Sequence, residues 1–409
     1  MGRMTFATIA AATLLASVAS ASDWSALERY QQTMSRVEFD GLLAHVYCPS
    51  GALTNYLAYG DNSVTVFSTP EKTNALFVLY FSSPSITPLP MPQTASFKRI
   101  ALDPGHIGGE WARMEERFFQ RGKDHPVQEA VLNLTAARLL KPQLETLGAQ
   151  VLFTKQGFAP VTDKRPADFH AQAEQDVAAQ GLFAGLPALE REAYRADAIN
   201  KRAELLFYRN SEIAARARLL NEQIRPDLTI CMHFNAVPWD ECQNLVDDNR
   251  LVVFVNGNYL ASELKDDEQK LRLFTKLLEH SYLIELFVAE KIATAMAQAT
   301  KLPPVEYGPA SGAIRVGDNP YVFARNLAAN RLVNGPVVFL EPYYMNNRVV
   351  YQRVQLGDYE GTRDVNGTPM RSIFREYADA VAEGVGRAMF RDGAIPPEVL
   401  KSLHQYEQH

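Results

Sequence analysis

Three separated apolar runs in this chain each end in a residue able to bind a metal or move a proton, and that pattern constrains the fold more than any other feature. Ile100 to Leu102 read as a buried strand broken by Asp103-Pro104-Gly105, and His106 follows on a turn where Gly108 and Gly109 let the backbone pass close to whatever the imidazole holds. Residues 227–233 repeat the arrangement and end in His233. The third run, Pro336 to Leu340, ends in Glu341. Parallel strands place their C-terminal ends along one rim of a sheet, where open α/β folds put their ligands. The three residues are therefore expected to meet there.

Between the first two runs, Val127, Val131, Leu134, Ala137, Leu140, Leu144 and Leu147 recur in helical steps, so a helix is expected over about 127–147. Glu129 lies near its start, a position that the helix dipole favours for an acid even without a function. Pro142 is expected to kink or shorten the helix. Gln150 to Lys155 and Leu251 to Val255 read as further strands, residues 266–300 as helical, and about 367–390 as a C-terminal helix. Strands alternating with helices imply an α/β fold, a twisted, largely parallel sheet flanked by helices. A small α+β module precedes it, with a helical pattern in 24–46 and strands at Val64 to Phe67 and Ala75 to Tyr80. Boundaries are expected as follows: a signal peptide over 1–21, the module over 22–81, a Pro/Ser-rich linker over 82–96, the main domain over 97–391 and a tail over 392–409.

Arg3, the apolar run Phe6 to Val18 and the small-residue pattern Ala19-Ser20-Ala21 have the form of a secretory signal, cleaved after Ala21. The run is too short and alanine-rich to span a membrane comfortably, so a periplasmic or secreted protein without a transmembrane anchor after cleavage is expected. A net charge of −6 gives no sign of nucleic-acid binding. Cys48, Cys231 and Cys242 are too few for a disulfide scaffold. Cys231, inside an apolar run and without a C-x-x-C partner, reads as a small buried apolar residue.

Taken in order, Leu102-Asp-Pro-Gly-His-Ile-Gly-Gly109, then Glu129 with Asn133-Leu134, then Val151 to Lys155, then Cys231-Met-His-Phe-Asn-Ala236, then Val337 to Glu341 with Asn346 beyond, resemble the signatures of the type 3 N-acetylmuramoyl-L-alanine amidases. The resemblance spans about residues 97–390. It implies one zinc ion per chain held by His106, Glu129 and His233, with Glu341 as the catalytic carboxylate. It also implies hydrolysis of the bond between N-acetylmuramic acid and L-alanine in peptidoglycan, for cell-wall remodelling or daughter-cell separation. A zinc peptidase on cell-wall peptides and a non-catalytic peptidoglycan-binding protein are the alternatives. Two His and one carboxylate are a recurrent catalytic zinc set. Glu110, Glu115 and Glu116 rival Glu129, because the 23-residue step from His106 to Glu129 is wider than the family's usual spacing. Asn235 and Arg325 are candidate substrate-binding residues. Ile107 stands where the family has Gly, and Pro342-Tyr343-Tyr344 follow Glu341 where it commonly has a small residue and Phe.

Some relatives block their zinc with an inserted helix that a partner releases. Residues 259–281, carrying Glu263, Asp266, Asp267, Glu268 and Glu279, are one candidate for such a plug, and residues 157–221 are another. An activator protein would then be a partner. The alternative for 259–281 is a solvated acidic helix.

Overall fold

The computed structural model describes residues 23–83, 90–180, 187–238, 244–308, 310–390 and 393–397. The expected signal peptide, residues 84–89 of the linker, Cys242 and most of the expected tail lie outside the described residues. Among the described residues no helix is long and apolar enough to cross a membrane. The chain divides into two compact units, one formed by the described part of residues 1–89 together with Gly257–Glu279, the other by 90–256 and 280–409.

In the first unit β1 (Leu57–Tyr59), β2 (Ser63–Phe67) and β3 (Ala75–Tyr80) form an antiparallel sheet in that order. Alternation along β2 buries Val64 and Val66 and leaves the residues between them half-exposed. An aromatic core forms where Trp24 meets Phe77 and Phe274, and Phe39 meets Phe81 and Phe274. Phe274 belongs to the helix Asp267–Leu278, which also buries Leu273, Leu277 and Leu278. The acids of this segment are engaged within the unit. Asp266 caps the helix by accepting from Glu268 N, and Asp267 accepts from Ser68 Oγ and pairs with Lys270. Glu263 accepts from Leu260 N, Glu268 pairs with Arg272, and Glu279 accepts from Tyr30 Oη. A helix whose apolar face and carboxylates are both engaged in this way is a structural element of the first unit.

The second unit is built on a seven-stranded sheet. Its strands are β4 (Arg99–Pro104), β7 (Gln150–Phe153), β8 (Leu228–Met232), β9 (Leu251–Val255), β10 (Ala313–Arg315), β11 (Val322–Arg325) and β12 (Val337–Pro342). A two-stranded hairpin, β5 (Phe118–Phe119) and β6 (Val127–Gln128), lies in the chain between β4 and β7. The order across the sheet is β10-β11-β9-β12-β8-β4-β7, with β7, β4, β8 and β12 mutually parallel. β9 and β11 run the other way, so the sheet is mixed and mostly parallel. β8 and β9 are buried at every residue, as strands covered on both faces must be. The helices Glu129–Thr146 and Ser281–Thr300 both pack against Ile373–Met389. A β-carbon on Gly384 would lie 2.4 Å from Ile292 Cα, so only glycine permits the last two helices to approach so closely.

Two local expectations are corrected. The Glu129 helix runs past Pro142 to Thr146, because only its last turn follows the proline and Thr146 Oγ1 donates to the Pro142 carbonyl. The C-terminal helix begins at Ile373. The residues before it form a hairpin, β13 (Thr362–Val365) with β14 (Thr368–Arg371), turned by Asn366-Gly367 with both φ positive.

Candidate metal centre and its cavity

The register of the sheet brings the three strand-end residues level. Pro104 of β4 pairs with Met232 of β8, and Met232 pairs with Leu340 of β12. The ladder continues one step beyond, with Gly105 N donating to Met232 O at 2.9 Å and His233 N to Leu340 O at 3.0 Å. Gly105, His233 and Glu341 thus share one rim. A β-carbon on Gly105 would fall 2.0 Å from the His233 ring, so the crossing requires glycine.

The fourth residue comes from the helix. Glu129 opens it, and Asn133, one turn on and fully buried, donates to the Gly105 carbonyl at 3.1 Å. Glu129 and Asn133 therefore bind the His106 loop from one helix face. One donor atom from each of His106, Glu129 and His233 falls within 4.8 Å of the others. His106 Nε2 lies 3.1 Å from Glu129 Oε2, and His233 Nδ1 lies 2.9 Å from Glu129 Oε1. The His233 ring stacks on Phe339 with centroids 4.3 Å apart, and its carbonyl accepts from Tyr377 Oη.

This donor set fits a zinc ion on its chemistry and on its backing. Glu115 Oε1 stands 3.4 Å from His106 Nδ1 while its carboxylate accepts from Ile107 N and Gly108 N. A carboxylate behind one ring nitrogen leaves the other as the ligating atom, the usual outer arrangement of a metal-bound histidine. Burial alone would lower the His106 pKa, but the charges of Glu129 and Glu115 outweigh it and push it up to about 9. Burial would raise Glu129, yet both imidazoles hold it well below the usual carboxylate range. Of the rival carboxylates, Glu115 occupies this backing position, Glu116 lines the cavity, and Glu110 is exposed.

Behind the loop lies a buried ionic cluster that sequence patterns did not reveal. Arg216 donates to Asp103 Oδ1, Pro104 O, His106 O and Glu212 Oε1. Glu212 in turn accepts from Val161 N and Thr162 N. Burial raises Asp103, but Arg216 and a Thr154 hydrogen bond bring it below its ordinary value. The only sequence sign was the Glu212–Arg216 spacing of one helical turn. Cys231 is buried, and its thiol donates to Asp103 Oδ2 at 3.8 Å.

The centre opens into a cavity of about 910 Å³. Glu341 lines it, and burial, with the charge of Glu129 adding, raises its pKa against the opposing pull of His233, Arg117 and His106. Asn235 and Arg325 line it too; Arg325 also lies over the Phe254 ring. One wall comes from the stretch 206–224, where Tyr208, Arg209, Ile213 and Leu220 face the cavity and two π-helical segments interrupt the helix. That wall is seated by Ile107, fully buried against Phe207 and Tyr208. Tyr343 stacks on Phe234 and donates to Glu376.

No family model matches the sequence, and no curated protein does. Among solved structures the chain is similar to the N-acetylmuramyl-L-alanine amidase Ami1 from Mycobacterium smegmatis, at 14% identity over 71% of this chain and 96% of that one, with a TM-score of 0.37. It is similar to the amidase AmiC2 of Nostoc punctiforme, at 15% identity over 70% and 94%, TM-score 0.34. It is also similar to the catalytic domain of the amidase CwlV from Bacillus (Paenibacillus) polymyxa, at 13% identity over 70% and 93%, TM-score 0.35.

Proposed function

We propose that the chain is a zinc-dependent N-acetylmuramoyl-L-alanine amidase acting on peptidoglycan in the periplasm or outside the cell. The observation that carries this reading is the convergence of His106, Glu129 and His233 at one sheet rim with Glu341 level beside them in an open cavity. His106 and His233, as neutral imidazoles, and Glu129, as a carboxylate, would hold the ion. Bound zinc would supply Lewis-acid polarisation of the scissile carbonyl and would acidify water.

The chain's own residues supply the remaining steps. Glu341, poised by its raised pKa, takes a proton from the water whose oxygen adds to the carbonyl carbon. It then delivers that proton to the departing nitrogen as the C–N bond breaks, leaving a lactyl carboxylate and a free L-alanine amine. Arg325 and Asn235 offer a guanidinium and an amide to the substrate's carboxylates and carbonyls. Glu115 fixes the His106 tautomer, and the Phe339 stack fixes the His233 ring.

The test is mass spectrometry of products from purified sacculi, with and without zinc. A new amine on L-alanine, formed only with zinc and lost in His106→Ala and His233→Ala proteins, is the expected result. A new amine at an internal peptide residue would make the enzyme a peptidase, and sacculus binding without cleavage would make it a wall-binding protein.

A further inference from the structure

Glu129 is held twice by one residue. Its backbone N–H donates to the Arg117 carbonyl at 3.2 Å, and its Oε2 receives Arg117 Nε at 3.0 Å. Arg117 immediately precedes β5, and Phe118 pairs with Gln128 in the hairpin that leads directly into the Glu129 helix. This hairpin lies within the added length between His106 and Glu129, so the wider spacing has a structural product: a cation brought onto the carboxylate.

We propose that Arg117 is a positioning residue that fixes the Glu129 carboxylate for cation binding, an inference that rests on reading this site as a zinc centre. Glu129 Oε1 faces His233 and Oε2 faces both His106 and Arg117, so the guanidinium contact defines the rotation of the carboxylate about its own axis. Metal-bound carboxylates are typically held by such outer hydrogen bonds, and their loss weakens metal binding. An opposing effect exists, because a guanidinium repels a divalent cation. Arg117 is 36% exposed while Glu129 is 3% exposed. Water screens the through-space repulsion, whereas the direct contact on a buried oxygen is not screened, and positioning wins. Arg117 also lines the cavity, so its rival role is a grip on a substrate carboxylate.

The experiment uses the full chain, its Arg117→Ala and Arg117→Lys variants, and His106→Ala as a control. Zinc affinity is read by competition with a chromophoric chelator, the zinc-induced rise in Tm by calorimetry, and kcat and KM on a soluble muropeptide at saturating zinc. Arg117→Ala should weaken zinc by about 10- to 100-fold and shrink the zinc-induced Tm rise, with the metal-free Tm nearly unmoved. Arg117→Lys should recover part of the affinity, and KM should hold in both. Unchanged or tighter zinc binding in Arg117→Ala overturns the proposal, and a raised KM with unchanged zinc affinity assigns Arg117 to the substrate. If the unaltered chain takes up no zinc, or His106→Ala keeps it, the zinc centre itself fails; zinc lost in His106→Ala but intact in Arg117→Ala removes only the role of Arg117.

Discussion

The Arg216 guanidinium donates to the backbone carbonyl of His106 at 2.8 Å from 110 residues further along the chain. His106 has φ +63, a left-handed conformation that costs a residue with a β-carbon about 1–3 kcal/mol and persists only where its surroundings dictate it. Arg216, bonded also to Pro104 O and buried between Asp103 and Glu212, supplies that constraint. Arg216→Met should cost about 3–5 kcal/mol, since it strands two buried carboxylates. Urea unfolding would measure the loss, and zinc analysis should show reduced occupancy. Stability within about 1 kcal/mol of the parent, on the scale of a surface change, would mean the clamp is dispensable.

Glu341→Gln should keep zinc and lose roughly 10²- to 10⁴-fold in kcat. The raised pKa of Glu341 also sets a sign for pH dependence. Its carboxylate must be ionised to accept a proton, so activity should fall on the acid side, with the midpoint above the ordinary carboxylate range. The Gln variant's residual activity should lack that limb. Near-normal turnover in Glu341→Gln, or an acid limb that survives it, would place the base elsewhere.

The sheet rim was legible because apolar runs ending in His106, His233 and Glu341 are local patterns, and parallel register then aligns them. The Glu129 helix was legible from its period, and Asn133 carried a spacing whose structural meaning is the bond to Gly105 O. What sequence did not reveal was long-range. Arg216 meets the His106 loop, and helix Asp267–Leu278 completes the first unit, through contacts between segments far apart in the chain, which no periodicity encodes. The acids of 259–281 are plain in the composition, but a composition does not say that they pair with residues such as Ser68, Lys270 and Tyr30 within the first unit. The Asn366-Gly367 turn was a visible hairpin signal overridden by a helical reading of the residues around it.

Lys155 gives a second pH test, one of stability. Burial, with Arg216 adding, lowers its ammonium to about 7 against an unfolded value of 10.5, and Asp103, Glu115 and Glu212 offset this only in part. Between those values the unfolded chain binds more protons, so this group makes stability rise with pH from about 7 to 10.5 and fall as pH drops back through that window. Lys155→Met, which keeps the stem and removes the charge, should flatten that rise in metal-free protein and raise stability at neutral pH. Urea midpoints from pH 7 to 10 measure it. An unchanged slope in the variant would show that Lys155 is not the group responsible.

Gly105→Ala tests the geometry of the centre apart from its chemistry. The new methyl would meet the His233 ring at 2.0 to 2.5 Å, closer than carbon and nitrogen atoms approach. The ring has little freedom to yield, since it is stacked on Phe339 and bound through Nδ1 to Glu129. The Gly105 carbonyl, which accepts from Asn133, ties the strand end to the helix, so the backbone is held as well. The strain should therefore fall on the His233 position and not on the sheet below. The expected outcome is a protein with a near-parental far-UV spectrum, zinc affinity lower by at least the 10- to 100-fold seen when a ligand's support is removed, and activity lost in proportion. Full zinc affinity in a folded Gly105→Ala protein would mean that His233 is not held against Gly105 when metal is bound, and the ligand assignment would need a different third donor.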